Sequence, residues 1–428
     1  MVGKLLGATF AISDATIVTM RPLASASLKA GVTDDDLGII EHATLVAGGG
    51  RIIHIGRDVA IPDGVDVIDA GGAVVMPGFI DAHTHALFAG DRVADFDSLA
   101  AGRAPTLGIR YTVEQTRRCS PSELVEIGAR KLGLMLEHGT TTAEVKSGYA
   151  LSAAGEVAML EALAALDSFA DMPHVVATFC GAHALPPEFS DYDSFVDELV
   201  ARILPRVADA KIARYADAFC ERGYFSNGQS ARFLKASANA GLRLRMHADE
   251  LSASGGARLA ADLRCDSADH LNFVDRDGIR ALAASGTIAV LCPATTEYLG
   301  LDRYAPAREL IDAGVPVALA TDFNPGTSPC PSLQVVAHLA RRRLRMTVAE
   351  TIAGITVQAA RSLRSDSGVL DEGRAADLVV LKTCDVREFG YYYGADMVSA
   401  VAVGRWYGSA PFWASDQGVT NQRWQPKP

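Results

Sequence analysis

Short apolar segments alternate with helix-like segments between residues 76 and 365, and this alternation restricts the fold more than any other feature. After an opening strand that ends near His83, strand-like runs lie at residues 140–145, 175–180, 216–220, 242–247, 267–270, 288–292 and 315–322. Helices are predicted at residues 121–138, 155–166, 192–208, 229–240 and 274–284, and the first follows a capping box of Ser120 and Glu123. Eight strands with intervening helices predict an α/β fold with a (β/α)8 TIM-type barrel.

The two ends of the chain have a different character, because they contain strand-like runs separated by turn residues. Such runs lie at residues 15–19, 43–47, 51–55, 65–69 and 73–75, and again at 368–370, 376–381, 398–403 and 405–407. Neither end has enough apolar sequence for its own core. We therefore predict that residues 1–75 and 366–428 form one small β-sandwich-like domain, which a metal-dependent hydrolase barrel of residues 76–365 interrupts. Residues 22–42 are predicted to be a loop insertion, and residues 422–428 a loose tail.

Composition excludes several classes of partner. The 428 residues carry a formal net charge of −11 and no extended basic block, so neither nucleic acid nor a membrane is an expected partner. No apolar run is long enough to span a bilayer, and the N-terminus has no signal-peptide pattern. The seven cysteines are scattered and form no CxxC pair, which favours a cytoplasmic location. Cys180, Cys220 and Cys292 lie in apolar runs and are interpreted as small core residues.

Ionisable side chains recur where the predicted barrel strands end, which is where catalytic groups of such barrels lie. His83 and His85 are one residue apart, so both project from one face of the opening strand. Such a pair also arises by chance, but His247 and Asp322 follow at later strand ends. Imidazole and carboxylate ligands suit zinc, iron or manganese. We assign His83, His85, His247 and Asp322 to one divalent metal ion, zinc or iron.

The same strand ends offer groups for catalysis and substrate binding. A divalent ion lowers the pKa of bound water from about 16 towards about 7, so a nearby group must then move a proton. His270 and Glu250 are the candidates, and Asp322 could share the proton; the alternatives are a structural histidine and a salt-bridged glutamate. His183 could polarise a substrate carbonyl, unless it is a buried loop histidine. Arg92 suits a bidentate grip on a substrate carboxylate, although most arginines are simply solvated. The candidate substrate contacts are Arg92, Tyr149, His183, Glu250, Asn324 and Gly326.

Several strings resemble a known family. Residues 77–85 and 320–322 resemble the amidohydrolase superfamily, and residues 139–149, 181–187, 247–250, 267–270, 320–326 and 392–394 resemble its imidazolonepropionase family. The resemblance implies hydrolysis of the ring of 4-imidazolone-5-propionate to N-formimino-L-glutamate in histidine degradation. It also implies the metal ligands and substrate contacts assigned above, and a homodimer. Two-metal members of the superfamily use a lysine or a further acidic ligand at the end of strand four; here residues 216–221 contain no lysine, which favours one metal ion.

One segment departs from the family pattern. After Arg92 the family carries a Tyr-x-x-Ile element and a glycine triplet, whereas this chain is shorter and keeps only Gly108. In the family the missing tyrosine lies near the acidic tail of the substrate, and Tyr111 could compensate for it. A related carboxylate-bearing imidazolone, hydantoin or lactam is therefore an alternative substrate. A binding protein that has lost catalysis is a second alternative, against which the intact ligand set argues.

Overall fold

The computed structural model describes residues 8–24, 29–169, 171–404 and 406–407, so the predicted tail at residues 422–428 lies outside the described residues. In chain order the strands are β1 (Ala8–Val18), β2 (Ile39–Gly48), β3 (Arg51–Gly56), β4 (Asp66–Asp69), β5 (Val74–Pro77), β6 (Phe79–Thr84), β7 (Thr140–Lys146), β8 (His174–Ala182), β9 (Tyr215–Cys220), β10 (Arg243–Ala248), β11 (Ser267–His270), β12 (Ile288–Leu291), β13 (Val317–Leu319), β14 (Leu378–Leu381), β15 (Val398–Ala402) and β16 (Trp406–Tyr407).

The α-helices follow the same order. They are α1 (Arg21–Ala24), α2 (Val93–Ala100), α3 (Gly108–Arg118), α4 (Pro121–Glu137), α5 (Ala153–Asp167), α6 (Tyr192–Glu198), α7 (Leu204–Ala210), α8 (Asn227–Asn239), α9 (Gly256–Asp262), α10 (Arg276–Ser285), α11 (Pro293–Tyr298), α12 (Ala307–Asp312), α13 (Leu333–Arg342), α14 (Val348–Gly354) and α15 (Val357–Ser362). The predicted capping box of α4 is confirmed, since the side chains of Ser120 and Glu123 each bind the other's backbone N–H.

Strands from both ends of the chain form one sheet in the order β16-β15-β14-β5-β1-β2-β3, with β4 on β1. The junction is the antiparallel pair of β5 and β14, in which Leu378 lies opposite Pro77. Ile12, Leu45 and Val75 belong to the separate apolar core of this sheet. The predicted β-domain built from both termini is therefore confirmed as part of the fold, while its exact limits stay a prediction.

The strands β6 to β13 form a second, parallel sheet in chain order, and its two edges meet. The N–H of Asp322 donates to the backbone carbonyl of His83 at 3.0 Å. The N–H of His85 donates to the backbone carbonyl of Phe323, also at 3.0 Å. These bonds join the segment after β13 to β6, and helices cover the outside. The predicted (β/α)8 barrel is confirmed, and its closure lies beside the first two histidines.

Some local predictions were wrong. The helix predicted at residues 192–208 is interrupted by a π-helical turn at Leu199–Ile203. Pro205 follows this turn and has no N–H to donate, which explains the local change in hydrogen bonding. The loop predicted at residues 22–42 contains part of α1, a 3-10 turn at Asp34–Leu37 and the start of β2. The helices α2 and α3 were not predicted. Within the described ranges, no helix combines the length and apolarity of a membrane span.

Candidate active site

Four of the predicted ligands meet at the carboxyl end of the barrel. The Nε2 atoms of His85 and His247 are 3.2 Å apart. Asp322 Oδ1 lies 3.5 Å from Nε2 of His83 and 3.7 Å from Nε2 of His85. All four side chains are buried. His83 lies on β6 and His85 directly after it, His247 lies on β10, and Asp322 follows β13. The structure thus brings together residues that are up to 239 positions apart in the sequence (322 − 83 = 239).

Two carboxylates behind the cluster fix the histidine rings. Nδ1 of His83 lies 2.6 Å from Asp269 Oδ2, and Nδ1 of His247 lies 3.0 Å from Asp217 Oδ1. An ionised carboxylate only accepts hydrogen bonds, so Nδ1 of each ring is the donor, and when the ring is neutral its Nε2 presents a lone pair to the cluster.

The donor set fits a divalent metal ion. His83 Nε2 is buried and has no hydrogen-bond partner among the described residues. Ligand atoms of His83, His85 and His247 all lie within 4.8 Å of one another. Burial, together with positively charged neighbours, lowers the pKa of both His83 and His85 well below the usual value. Imidazole nitrogens that face one another around a carboxylate are the ligands that zinc and iron accept.

A network of buried charges lies behind the ring-fixing carboxylates. Lys146 Nζ is 2.7 Å from Glu144 Oε1 and 2.7 Å from Asp217 Oδ2. Arg245 Nη2 is 3.4 Å from Asp269 Oδ2. None of these five side chains has any solvent exposure. The two cations therefore compensate the carboxylates that orient His83 and His247.

This network was not predicted from the sequence. Glu144 and Lys146 were visible at a strand end but received no role, and Asp217, Asp269 and Arg245 received no role either. A signal was present, because Glu144, Asp217 and Arg245 each lie between apolar neighbours inside a predicted strand. Ionisable residues in fully buried strands must be paired, so their positions could have predicted ion pairs inside the barrel.

His270 and Glu250 lie beside the cluster. Glu250 Oε2 is 3.7 Å from His270 Nε2, and the His270 ring stacks on His247 at 5.3 Å. Burial lowers the pKa of His270 well below its usual value, and neither ring nitrogen has a hydrogen-bond partner among the described residues. Burial and the charge of Asp322 raise the pKa of Glu250 to about 8, and burial raises the pKa of Asp322 to about 6. At neutral pH, His270 can therefore be a neutral imidazole while Glu250 is a protonated carboxylic acid.

His183 is fixed by a backbone carbonyl. Its Nδ1 lies 3.0 Å from the oxygen of Gly148, so Nδ1–H donates and Nε2 accepts in the neutral ring. Burial lowers the pKa of His183 to about 4, so the ring is neutral at physiological pH. Polarisation of a substrate carbonyl by His183 stays a prediction, and it requires a protonated ring, because a neutral Nε2 has no proton to donate. The ring stacks on His85 at 4.6 Å, and the buried Tyr149 lies 5.3 Å away.

Arg92 lies on the loop that follows β6, and its Nε donates to Asp95. A Cβ atom on Gly326 would lie only 3.1 Å from Arg92 Nη1, so the guanidinium rests against the backbone after β13. Asn324 uses its side chain within that loop: Nδ2 donates to the Asp322 carbonyl at 2.7 Å, and Oδ1 accepts from the Gly326 N–H at 2.8 Å. Substrate contacts of Asn324 and Gly326 stay predictions.

Tyr111, the suggested replacement for the missing tyrosine, packs on the loop before Arg92. A Cβ atom on Gly90 would lie 3.3 Å from Tyr111 Cε1. A second tyrosine lies near the same segment. The Tyr298 ring at the end of α11 stacks on Phe96 of α2 at 5.7 Å, four residues after Arg92. Burial raises the pKa of Tyr298, and the charge of Arg92 opposes that rise.

Comparisons with known proteins agree with this geometry. Residues 74–407 match the model of the amidohydrolase family. The chain belongs to the amidohydrolase family. Within it, the chain is 42% identical over 384 residues to the imidazolonepropionase of Bacillus velezensis, covering 87% of this chain and 91% of the relative. It is 41% identical over 409 residues to the imidazolonepropionase of Rubrobacter xylanophilus, covering 92% and 97%.

Solved structures of lower identity show the same fold. A mutant atrazine chlorohydrolase from Arthrobacter aurescens, complexed with zinc and atraton, is 20% identical with a TM-score of 0.68, covering 94% of this chain and 96% of that one. A 5-methylcytosine deaminase from Klebsiella pneumoniae is 16% identical with a TM-score of 0.69, covering 93% and 97%. These likenesses support the barrel with its attached sheet and carry no further conclusion about substrate.

Proposed function

We propose that this chain is a metal-dependent hydrolase that opens the ring of 4-imidazolone-5-propionate and forms N-formimino-L-glutamate in histidine degradation. The observation that carries the proposal is the buried cluster of three imidazoles and one carboxylate in a chain that matches imidazolonepropionases over most of its length. The reaction adds the hydroxyl of water to the ring carbonyl carbon and a proton to the ring nitrogen, as the bond between these two atoms breaks.

His83, His85, His247 and Asp322 would hold one divalent metal ion, zinc or iron. When bound, such an ion supplies hydroxide near neutral pH and polarises an adjacent carbonyl. A single ion is supported by Glu221 at the end of the fourth barrel strand. Its carboxylate accepts the Leu251 N–H at 2.9 Å and is therefore engaged with the loop after β10.

His270, Glu250 and Asp322 would move the protons. The neutral His270 can accept a proton from the attacking water, and Asp322 is the alternative acceptor because burial raises its pKa to about 6. Glu250, whose pKa burial raises to about 8, can donate the proton that the leaving nitrogen needs. A separation of 3.7 Å between Glu250 Oε2 and His270 Nε2 allows these two groups to exchange the proton after a small movement.

The remaining residues would bind the substrate. Arg92 would grip the propionate tail through its two terminal nitrogens. His183 Nε2, an acceptor, would receive a hydrogen bond from a ring N–H of the substrate. Tyr149, whose ring lies 5.3 Å from that of His183, would contact the substrate beside it. Asn324 and Gly326 would contribute through the loop that follows Asp322. A homodimer and a cytoplasmic location remain predictions from the sequence.

The test is turnover of 4-imidazolone-5-propionate by purified protein of measured metal content. We expect loss of the ring and formation of N-formimino-L-glutamate, with no turnover after the metal is removed. Hydantoin and lactam carboxylates are assayed in parallel. Negligible turnover of imidazolone propionate at full metal occupancy would contradict the proposal, and faster turnover of another ring would identify the alternative substrate.

A further inference from the structure

Asp95 is a buried acid in an otherwise exposed part of the substrate-side segment. It lies in the first turn of α2, three residues after Arg92, and its side chain is 2% exposed. Its Oδ1 accepts backbone N–H groups from Thr106 and Leu107, each at 2.7 Å, and its Oδ2 accepts that of Gly108 at 3.1 Å. One carboxylate therefore connects the start of α2 to the start of α3, across the segment that departs from the family pattern.

The same carboxylate holds Arg92. Its Oδ2 accepts a hydrogen bond from Nε, the inner nitrogen of the guanidinium. Burial favours the neutral acid, but the N–H donors and the guanidinium outweigh burial and lower the pKa of Asp95 to about 2. The carboxylate is therefore charged at physiological pH and can accept from all four donors.

Holding an arginine through Nε has a geometric consequence. The guanidinium is planar, so fixing Nε and the stem leaves Nη1 and Nη2 directed away from the side chain as a fork. The opposite face of this fork is set by Gly326, where a Cβ atom would lie 3.1 Å from Nη1 and 3.3 Å from Nη2. The Arg92 side chain is 11% exposed, so it is confined between the loop after β6 and the loop after β13.

We propose that Asp95 is a positioning residue that aims the terminal nitrogens of Arg92 at the carboxylate tail of the substrate, with the backbone of Gly326 as the opposing surface. This inference rests on the proposed function, in which Arg92 binds that tail. Asp95 does not touch the substrate itself. It reduces the number of conformations that Arg92 and residues 106–108 can adopt before binding, and so lowers the entropic cost of capturing the tail.

The test is steady-state kinetics of Asp95→Asn with imidazolone propionate at full metal occupancy. Asparagine keeps the size but loses the charge and presents an N–H group to donors. We expect KM to rise about tenfold, with kcat within about twofold of wild type and metal content unchanged. Asp95→Glu should recover part of the affinity, because the carboxylate is retained. Asp97→Asn, on the exposed side of the same helix, is the matched control and should keep the wild-type KM.

A double-mutant cycle with Arg92→Ala separates positioning from a general effect on stability. If Asp95 acts through Arg92, the Asp95→Asn change should have no further effect on KM when Arg92 is already alanine. Gly326→Ala disturbs the same guanidinium from the other side, so it too should raise KM only when Arg92 is present. This second cycle serves as the test if Asp95→Asn does not fold.

The contrary outcomes are distinguishable. A wild-type KM in Asp95→Asn, or additive effects in both cycles, would overturn the positioning role while the proposed function stands. If Arg92→Ala leaves KM unchanged, the tail-binding role of Arg92 fails and the inference falls with it. Absence of turnover in the metal-loaded wild type would instead refute the proposed function.

Discussion

The site has two ends that are built in different ways: the metal end, with His83, His85, His247 and Asp322, and the tail end, with Arg92. At the metal end, His83 and His247 project from barrel strands, and each ring is oriented by a carboxylate that is itself paired with a buried cation. At the tail end, Arg92 projects from a loop, and one acid of a mostly exposed helix orients it. Under the proposed function this gives a division of the site: the barrel strands would fix the chemistry, and the segment around Arg92 would set which ring substituent is accepted.

The largest expected effect is at the metal end. Asp322→Ala removes the carboxylate that faces two of the histidines, so we expect bound metal to be largely lost and turnover to fall below detection. Metal analysis after dialysis and an activity assay measure both. Asp262→Ala, an exposed change on α9, is the control and should retain metal. Full metal content with high activity in Asp322→Ala would contradict its assignment as a ligand.

Proton transfer should give the metal end a pH dependence. If the protonated Glu250 donates to the leaving nitrogen, kcat should fall as pH rises through about 8, because burial and Asp322 place the pKa of Glu250 there and the acid is lost above it. Glu250→Gln should lower kcat by about 10²-fold or more and abolish the alkaline fall. Rate profiles between pH 6 and 10, roughly two units on either side of this pKa, decide the matter. An alkaline fall that survives in Glu250→Gln would assign the ionisation to another group.

Lys146, a buried cation behind the histidines, should affect metal affinity although it is not a predicted metal ligand. Lys146→Met leaves Glu144 and Asp217 without their ammonium partner, so the carboxylate that orients His247 is no longer fixed. We expect metal affinity to weaken by about 10- to 100-fold, measured by competition with a chelator. Lys235→Met, at an exposed position of α8, is the matched control. Unchanged affinity in folded Lys146→Met would show that the network only supports the barrel.

The tail end should respond in KM instead. Arg92→Ala removes the proposed charged, bidentate contact to the propionate tail, which corresponds to about 1.5–3 kcal/mol, or a rise in KM of roughly 10- to 150-fold. Metal content and kcat should change little, because Arg92 lies outside the cluster. An unchanged KM would remove Arg92 from the substrate site, and loss of metal would break the proposed division.

The smallest effect is expected at the contact between α11 and α2, beside the tail end. Tyr298→Ala removes the ring that stacks on Phe96, an aromatic contact of about 0.5–1.5 kcal/mol, so KM should rise by only a few-fold. Tyr298→Phe keeps the ring and should behave like wild type if stacking is the whole contribution. A large KM effect in Tyr298→Phe would show that its hydroxyl replaces the tyrosine that the segment lacks.

Much of the barrel could be predicted because buried parallel strands leave a strong apolar signal, and ionisable residues at their ends stand out against it. The orientation of each group could not. Nothing in the spacing shows that Gly148 fixes the tautomer of His183, or that Asp217 and Asp269 hold the ligand rings. The helix α2 was missed because it is short and mostly exposed, and α3 was missed because it is polar, with only Thr112, Val113 and Thr116 buried. Asp95 was missed because its role depends on which backbone N–H groups fold over its carboxylate, and the sequence does not show this.

If the metal end performs the hydrolysis and the tail end selects the substrate, the protein recognises its ring substrate through the carboxylate of the tail. Comparing kcat/KM for imidazolone propionate with that for its primary amide tests this claim most directly. The wild type should prefer the acid by about tenfold or more, through KM, and Arg92→Ala should turn over both compounds with similar KM. Equal kcat/KM for acid and amide in the metal-loaded wild type would contradict the account.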